Sequence, residues 1–333
     1  MAALLRLDLA GSDEMTRTGV VIVTYNSEDM IERCLKSCGD LPVVVVDNAS
    51  KDATCDFIRR RGLVTLIANP SNYGFARAVN QGVSALQTEL VLLLNPDTEL
   101  KTPLEELEKA CLQVGTGLAA GQLSDEHGQP QRGFTLRRFP RPPTLIFEVL
   151  GINRLVALNP LNRSYRCLDL DLSRPADAEQ PPGAFLMFRR EVWQRLGGFD
   201  TQFYPLWFED VDFCKRASDL GLKIKYVPQV TAFHQGGHSI AGLDWECREV
   251  YWYASLLKYA SKHFRPRAFR WVSAAVVLGS LFRTALGVMT RRSLRPIRVY
   301  ARIGGFAGRS LISGRVGVLK CSGFSKAVEE QER

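Results

Sequence analysis

Residues 19–25, GVVIVTY, and residues 43–46, VVVV, decide the fold class. Both are short runs of apolar, mostly β-branched residues, which is typical of strands buried on both faces of a parallel sheet. Residues 63–67, LVTLI, and 89–94, ELVLLL, continue the pattern, and apolar residues at helical spacing separate the four runs. This alternation predicts βαβ units and therefore an α/β fold with a mostly parallel sheet flanked by helices.

Polar side chains collect where these four runs end, at 24–27, 47–52, 69–74 and 95–98. The carboxyl ends of parallel strands lie at one edge of a sheet, and ligands bind beyond that edge. Four strand ends that carry Asn and Asp therefore predict one binding site there.

The pattern loosens after residue 100. Residues 137–182 are rich in Pro and Arg and lack periodicity, which predicts an excursion over the surface that bears on substrate binding. The remaining predicted elements are a strand at 117–123, a strand at 184–188, and helices at 190–196 and 211–220, then a strand at 222–227 and a helix at 245–259. A G-x-G-x-x-A match at 115–120 enters a strand, so we reject it as a dinucleotide-binding loop.

Asp97 is the first candidate for chemistry. It lies in Asn95-Pro96-Asp97-Thr98, on a short turn at a predicted strand end. A carboxylate there can bind a divalent cation that bridges a diphosphate. The alternative is an Asx-Pro turn without a metal.

Glu209 and Asp210 follow an aromatic segment at 203–208 and open a predicted helix. Acidic residues at a helix start are favoured by the helix dipole alone. The functional interpretation is a general base at the mouth of an aromatic-lined pocket.

His234 is followed by Gly236, Gly237 and His238, and the sequence predicts a Gly-flanked loop after a strand and turn at 222–230. Such a histidine suits a metal ligand or a phosphate contact, whereas a lone histidine is usually structural.

Six stretches in order resemble family 2 glycosyltransferases of the GT-A fold, especially their rhamnosyltransferase-like branch. They are VVIVTYNSEDMIERCL (20–35), VVVVDNASKD (43–52), NPSNYGFARAVNQG (69–82), LLLNPDTEL (92–100), GAFLMFRREVWQRLGGFDTQFYPLWFEDVDFCKRASDLGLKI (183–224) and HQGGHS (234–239). Together they cover most of residues 19–240.

The resemblance implies roles for particular residues. The implied nucleotide contacts are Thr24, Tyr25 and Asn26 in the pocket, Asp47 at the imide N–H of uracil or thymine, and Asn72, Gly74 and Arg77 at ribose and diphosphate. Asp97 and His234 would hold Mg²⁺ or Mn²⁺, although Asn95 stands where the family motif has its first acid. Asp210 would be the catalytic base and Glu209 its neighbour, with Gly183 and Trp207 in the acceptor or sugar pocket.

The chain has 333 residues, of which 46% are hydrophobic and 23% charged, which excludes disordered, collagen-like and coiled-coil proteins. Charge divides it sharply. Residues 250–333 carry 16 Lys/Arg and 3 Asp/Glu, whereas the other 249 residues carry 27 and 32. We therefore expect an N-terminal extension (1–18), a GT-A domain (19–240) and a basic helical C-terminal region (241–333).

The basic region predicts an anionic partner. We expect a peripheral helix on an anionic membrane surface; the alternatives are a packed helical appendage and a span over 271–290. No other feature favours nucleic acid. The eight cysteines form no CxxC pair, so we expect reduced thiols and a cytoplasmic protein on the inner face of the cell membrane.

The resemblance implies an inverting, metal-dependent glycosyltransferase of cell-wall or surface polysaccharide synthesis. Its expected donor is dTDP-L-rhamnose, with another UDP- or dTDP-sugar such as a UDP-hexose as the alternative, and its expected acceptor is a glycan, such as a polyprenyl-linked one. Two other classes compete: a catalytically silent nucleotide- or glycan-binding module, and a nucleotidyltransferase. The latter would need a Gly-rich basic loop after the first strand, which residues 24–27 do not provide.

Overall fold

The computed structural model describes residues 17–62, 64–236, 243–291 and 293–319. The strands are β1 (Thr18–Thr24), β2 (Val43–Asp47), β3 (Val64–Ala68), β4 (Leu90–Leu94), β5 (Thr98–Leu100), β6 (Thr116–Ser124), β7 (Ala176–Ala178), β8 (Phe185–Arg189) and β9 (Lys223–His234). The helices are α1 (Glu28–Ser37), α2 (Thr54–Arg60), α3 (Phe75–Ala85), α4 (Glu105–Leu112), α5 (Pro142–Val149), α6 (Ile152–Leu155), α7 (Pro160–Tyr165), α8 (Arg190–Leu196), α9 (Glu209–Asp219), α10 (Trp245–His263), α11 (Pro266–Arg291) and α12 (Arg295–Ser313).

All nine strands join one sheet in the order β3-β2-β1-β4-β8-β6-β9-β5, with β7 paired to β9. The four strands predicted from the apolar runs form its parallel part, β3-β2-β1-β4. Beyond β4 the sheet is mixed, because β8 runs antiparallel to both β4 and β6. An apolar run suits either direction, so composition alone does not distinguish a parallel neighbour from an antiparallel one.

The sheet is buried on both faces. Val20 and Ile22 of β1 pack in one cluster with residues of α1 and α4, whereas Val21 and Val23 pack on the other face with α3. Successive strand side chains point to opposite faces, so the continuous apolar runs are explained by two helix layers. The rejected G-x-G-x-x-A segment lies mostly within β6, which confirms that it is not a strand-to-helix loop.

Three expectations need correction. The predicted strand at 222–227 is longer, since β9 continues through a bulged pairing with β6 to His234. His234 is therefore a strand-end residue and not part of a loop after a turn; Gly237 and His238 lie outside the described residues. The excursion at 137–182 is more ordered than its composition predicts and holds α5, α6, α7 and β7.

The cysteine prediction holds at six described positions and is wrong at one. Cys34, Cys38, Cys55, Cys111, Cys167 and Cys214 are free thiols. Cys247 on α10 is disulfide-bonded. Sequence spacing could not show this, because a disulfide depends on which sulfurs the tertiary fold brings together.

The C-terminal region is helical, as predicted, and packs on the rest of the chain. Residues of α10, α11 and α12 form one apolar cluster with Phe203, Phe208 and Val211. Helix α11 is long and apolar enough to cross a membrane by length and composition, and about a third of its apolar stretch is buried against the protein. The C-terminal helices therefore pack on the rest of the chain and form a common apolar core with the segment that leads into α9.

Candidate active site

A cavity of about 460 Å³ opens at the carboxyl ends of the parallel strands. Thr24 ends β1 and Tyr25 follows it, Asn48 follows β2, and Asn95 and Asp97 follow β4; all five line the cavity. This cavity lies at the edge of the sheet where the sequence predicts the binding site. It arises because each strand stops at the same level and its chain turns away above the sheet.

The cavity wall contains most of the residues that the sequence singled out. Those that line it are Thr24, Tyr25, Asn72, Asp97, Gly183, Trp207, Glu209, Asp210 and His234. They come from both halves of the sequence, and the fold places them within a single enclosure.

Four predicted nucleotide contacts do not line the cavity. Asp47 lies behind Thr24, whose Oγ1 donates a hydrogen bond to Asp47 Oδ1 at 2.8 Å. Asn26 Oδ1 accepts from the Lys51 backbone N–H at 2.8 Å. The first contact ties the end of β1 to the end of β2, and the second ties the loops that follow them, so Asp47 and Asn26 support the wall from behind.

Gly74 and Arg77 belong to the start of α3. Gly74 has φ +81° and donates its N–H to Asn72 Oδ1 at 2.9 Å, which holds the Asn72 side chain beside the cavity. An added Cβ at this position would lie 2.8 Å from Tyr204, so only glycine fits the conformation and the space. Arg77 is exposed and stacks over the Tyr73 ring at 4.3 Å.

Strand pairing brings Asp97 to His234. Thr98 of β5 lies opposite His234 of β9, and the Gln235 N–H donates to the Asp97 carbonyl oxygen at 3.0 Å. His234 Nε2 consequently lies 3.6 Å from Asp97 Oδ1, with both side chains buried. The two residues are 137 positions apart, so only the β5–β9 register unites them.

The tautomer of His234 follows from Gln131. The Gln131 Nε2 donates to the His234 carbonyl oxygen at 2.6 Å, and its Oε1 lies 2.9 Å from His234 Nδ1. Since the amide oxygen must accept, Nδ1 carries the proton and Nε2 presents a lone pair toward Asp97. Burial lowers the pKa of His234 and outweighs the Asp97 charge, which acts in the opposite direction. The lowered pKa favours the neutral ring.

Asp97 and His234 fit a divalent cation. Asp97 Oδ1 is buried and has no hydrogen-bond partner among the described residues. It faces the Nε2 lone pair, and two lone pairs at this separation repel each other unless a cation lies between them. No group of three or more His, Cys, Asp or Glu within the described ranges surrounds one point. Substrate phosphates would supply the further ligands, as is usual for Mg²⁺.

Asp210 projects from the first turn of α9 and is held by two backbone N–H groups. Its Oδ2 accepts from Gly183 at 2.9 Å and its Oδ1 from Val211 at 2.8 Å. Gly183 lies two residues before β8, so the segment entering the sheet and α9 together fix the carboxylate. A carboxylate held by rigid elements keeps its orientation toward the cavity.

The chain enters α9 through strained backbone. Trp207 has φ +77° and Phe208 has φ +71°, values that non-glycine residues rarely adopt. Such residues cost on the order of 1–3 kcal/mol each and cluster at functional sites. Here they turn the aromatic segment so that Trp207 lines the cavity next to Glu209 and Asp210.

Burial perturbs both carboxyl groups of this pair. The pKa of Asp210 is raised by burial, which outweighs the two backbone hydrogen bonds and the nearby Arg137 charge. The pKa of Glu209 is raised well above its usual range by burial and by the Asp210 charge. Glu209 Oε2 is buried without a hydrogen-bond partner in the described chain. A carboxylate with a raised pKa is a better proton acceptor for a hydroxyl.

Several cavity residues were not predicted individually. Arg137, Glu148, Tyr165 and Arg166 come from the excursion, and Trp252 comes from α10. The Pro- and Arg-rich composition of 137–182 pointed to the segment but not to its residues, because the segment has no periodicity to follow. Trp252 carried no signal, since an aromatic residue in a helical pattern usually indicates core.

Family models match the two halves of this site. Residues 171–238 match the model of the N-terminal domain of galactosyltransferase. Residues 19–163 match the model of glycosyl transferase family 2. The chain is a glycosyltransferase with a family 2 domain over residues 19–163. The two matches together include the cavity-lining residues from Thr24 to His234 except Tyr165 and Arg166, which lie between them.

Curated relatives of this glycosyltransferase include hexosyl- and rhamnosyltransferases. It is 24% identical over 221 residues to the low-salt glycan biosynthesis hexosyltransferase Agl10 of Haloferax volcanii, which covers 65% of this chain and 66% of that protein. It is 28% identical over 246 residues to the N-acetylglucosaminyl-diphospho-decaprenol L-rhamnosyltransferase of Mycobacterium tuberculosis, covering 66% of this chain and 76% of that protein. The expected rhamnosyltransferase-like resemblance is confirmed.

The fold of the glycosyltransferase is also similar to a solved structure. This is the mannosyltransferase PcManGT from Pyrobaculum calidifontis, determined in complex with GDP-Man and Mn²⁺. The TM-score is 0.50 at 17% sequence identity, and the alignment covers 90% of this chain and 88% of that one. The likeness confirms the GT-A fold that the sequence predicts.

Proposed function

We propose that this protein transfers a sugar from a nucleoside diphosphate donor to a hydroxyl group of a glycan acceptor, with inversion at the anomeric carbon. One observation carries the proposal: a buried Asp97–His234 pair and the carboxylate of Asp210 face the same cavity. The pair suits a diphosphate with its cation, and the carboxylate suits a proton transfer.

The proposed reaction needs one displacement. Asp210 takes the proton of the acceptor hydroxyl while the oxygen of that hydroxyl bonds to the anomeric carbon. The bond between that carbon and the diphosphate oxygen breaks, and the electron pair leaves with the diphosphate. Mg²⁺ or Mn²⁺, held by Asp97 and His234, would neutralise the leaving charge. A positioned base contributes about 10²–10⁴-fold in rate.

Glu209 and the cavity wall have supporting parts in the proposal. Glu209, whose pKa is strongly raised, favours its protonated form and can donate a hydrogen bond to a sugar hydroxyl. Gly183 and Trp207 border the space beside Asp210, where the sugar and the acceptor would meet. Asn26, Asp47, Gly74 and Arg77 remain proposed contacts or supports for the nucleotide.

For the donor we propose dTDP-L-rhamnose, with a UDP-hexose as the second candidate. A relative named as an L-rhamnosyltransferase supports the first and one named as a hexosyltransferase supports the second. For the acceptor we propose a polyprenyl-linked glycan, since the rhamnosyl relative is named for a diphospho-decaprenol acceptor. Nucleotide sugars are cytoplasmic metabolites, so the proposal places the enzyme at the inner face of the cell membrane.

A donor screen tests the proposal. The purified full chain is incubated with MnCl₂ and dTDP-rhamnose, UDP-glucose, UDP-galactose, UDP-N-acetylglucosamine or GDP-mannose, with and without a polyprenyl-diphosphate sugar. Released nucleoside diphosphate is measured, with Asp210→Asn as the inactive control. Turnover of dTDP-rhamnose supports the rhamnosyl assignment, whereas turnover of a UDP-hexose alone overturns it. Nucleotide binding with no turnover in any mixture would favour the silent module.

A further inference from the structure

Helix α11 carries a continuous apolar stripe on its outer side. Six large side chains, each 46–76% exposed, form it: Trp271, Leu278, Leu281, Phe282, Leu286 and Met289. At 100° per residue they fall on one side of the helix, with Trp271, Leu278, Phe282 and Met289 almost in line. Soluble proteins rarely leave contiguous apolar surface of this extent uncovered.

The orientation of the stripe is fixed by packing on the opposite side of the helix. Val272 and Val276 are fully buried in the cluster shared with α10 and α12. At Gly279 an added Cβ would lie 2.3 Å from the Val149 carbonyl oxygen, so α11 lies directly against the end of α5. The helix cannot turn its stripe inward without losing these contacts.

Exposed arginines lie near both ends of the stripe. Arg267 and Arg270 are exposed on the first turns of α11, and Arg295 and Arg298 are exposed at the start of α12, just beyond its other end. The sequence from 250 to 328 contains no carboxylate to neutralise them. Apolar area bordered by arginines matches the headgroup and acyl boundary of an anionic bilayer.

We propose that the α11 stripe together with Arg267, Arg270, Arg295 and Arg298 is a docking surface for an anionic phospholipid bilayer, with α11 lying flat on it. A second copy of the chain fits this surface poorly, because a symmetric contact would bring arginines together with no carboxylate between them.

A membrane-spanning orientation of α11 fits poorly as well, because it would remove the packing contacts of Val272 and Val276. It would also break the bond from Arg283 Nη2 to the Glu148 carbonyl oxygen, 3.1 Å long.

The docking surface lies one helix away from the cavity. Helix α5 touches α11 at Val149 and lines the cavity with Leu145 and Glu148. Packed helices are about 8–10 Å apart, which places the cavity wall close to the bilayer surface. This step rests on the proposed function, since it explains how a lipid-linked acceptor could reach Asp210; docking itself needs no catalytic activity.

Vesicle co-sedimentation of the full chain tests the docking surface. The vesicles are phosphatidylcholine alone or phosphatidylcholine with 30% phosphatidylglycerol. We expect binding to the anionic vesicles that weakens with added salt, because the Debye length shortens. The triple variant Trp271→Ser/Leu281→Ser/Phe282→Ser should lose at least tenfold in partitioning. In Arg295→Gln/Arg298→Gln, partitioning onto the anionic vesicles should fall about fivefold for each arginine removed.

Matched variants control for general loss of apolar area or charge. Val114→Ser/Leu220→Ser removes exposed apolar side chains just before β6 and β9, and Arg174→Gln/Arg195→Gln removes two exposed charges outside the C-terminal helices. Both should bind as the wild type does. Circular dichroism of every variant verifies the fold, and substitutions at exposed positions change stability little.

Each outcome decides the proposal. Equal binding by the stripe variant and its control overturns it, as does equal binding to both kinds of vesicle. Dimerisation through the stripe without vesicle binding assigns the surface to a second copy and also overturns it. Retention in cell membranes after an alkaline carbonate wash would show a span instead. Asp210→Asn should bind vesicles normally, which separates docking from the proposed transfer reaction.

Discussion

The Asp210 carboxylate accepts a hydrogen bond from the Gly183 backbone N–H at 2.9 Å, which ties the first turn of α9 to the start of β8. An added Cβ at Gly183 would lie at an ordinary van der Waals distance of 3.4 Å from Asp210 Cβ, so the two residues are in direct contact. A sheet edge thus holds the proposed base in one place beside the cavity. The predictions below follow from this arrangement and from the Asp97–His234 pair.

Replacing Asp210 by asparagine should abolish most transfer while leaving nucleotide binding intact. Asparagine keeps the size of the side chain but cannot take a proton, so we expect kcat to fall about 10²–10⁴-fold. Initial-rate kinetics and nucleotide titration measure the two effects. Asp219→Asn on the exposed end of the same helix is the matched control and should keep wild-type rates. Wild-type kcat in Asp210→Asn would remove Asp210 from the role of base.

The acid limb of the pH–rate profile should lie above the ordinary aspartate pKa of about 3.9. Burial raises the pKa of Asp210, and activity needs its deprotonated form, so kcat/KM should fall as pH drops through that raised value. The Arg137 charge opposes the shift, so Arg137→Gln should move the limb to higher pH. Exposed Arg132→Gln should leave it unmoved; identical limbs in all three proteins would contradict this assignment.

Replacing Glu209 by glutamine should raise stability at neutral and alkaline pH. Burial and the Asp210 charge raise the pKa of Glu209 in the folded protein above its value in the unfolded chain. Protonated Glu209 therefore stabilises the fold at pH values below the unfolded-state pKa, and this stabilisation is lost as pH rises through the folded-state pKa. Glutamine does not titrate. The Tm difference between variant and wild type should therefore grow from pH 4 to pH 8, while transfer activity drops. A difference that shrinks with pH would refute the reasoning.

Removing either member of the Asp97–His234 pair should remove the metal dependence of nucleotide binding. We expect MnCl₂ to tighten binding of dTDP or UDP to the wild type, and Asp97→Asn or His234→Gln to lose about 10–100-fold of that gain. Calorimetric titration with and without Mn²⁺ measures it. His127→Gln, on an exposed turn, is the matched control. If Mn²⁺ does not change the affinity of the wild type for dTDP or UDP, the proposed metal site is overturned.

Replacing Gly279 by alanine should loosen the contact between α11 and α5. The new Cβ would lie 2.3 Å from the Val149 carbonyl oxygen, so backbone must shift, and we expect a loss of about 1–3 kcal/mol in the free energy of unfolding. Gly308→Ala on α12 meets nothing within 4 Å and should instead gain about 0.5–1 kcal/mol from helix propensity. Urea denaturation of both variants measures the contrast, and equal effects would contradict the close approach.

The sequence by itself determined the parallel half of the sheet and the edge where the site lies. Runs such as 19–25 and 43–46 have the composition of strands covered on both faces, helical patterns separate them as in βαβ units, and their ends carry the polar residues. Local context also made Asp97, Asp210 and His234 candidates, each with a structural alternative, and the resemblance to family 2 glycosyltransferases gave them their expected roles. These inferences depend on neighbours in the sequence, which a pattern can show.

Only the tertiary structure decided which distant residues meet. His234 reaches Asp97 because β9 continues beyond its predicted end and pairs with β5. Trp252 and Arg137 reach the cavity because α10 packs beside α9 and the excursion folds over the sheet edge. The direction in which α11 presents its apolar stripe follows from Gly279 against Val149. Such contacts arise from packing and register between remote segments, and local hydrophobic periodicity carries no information about them.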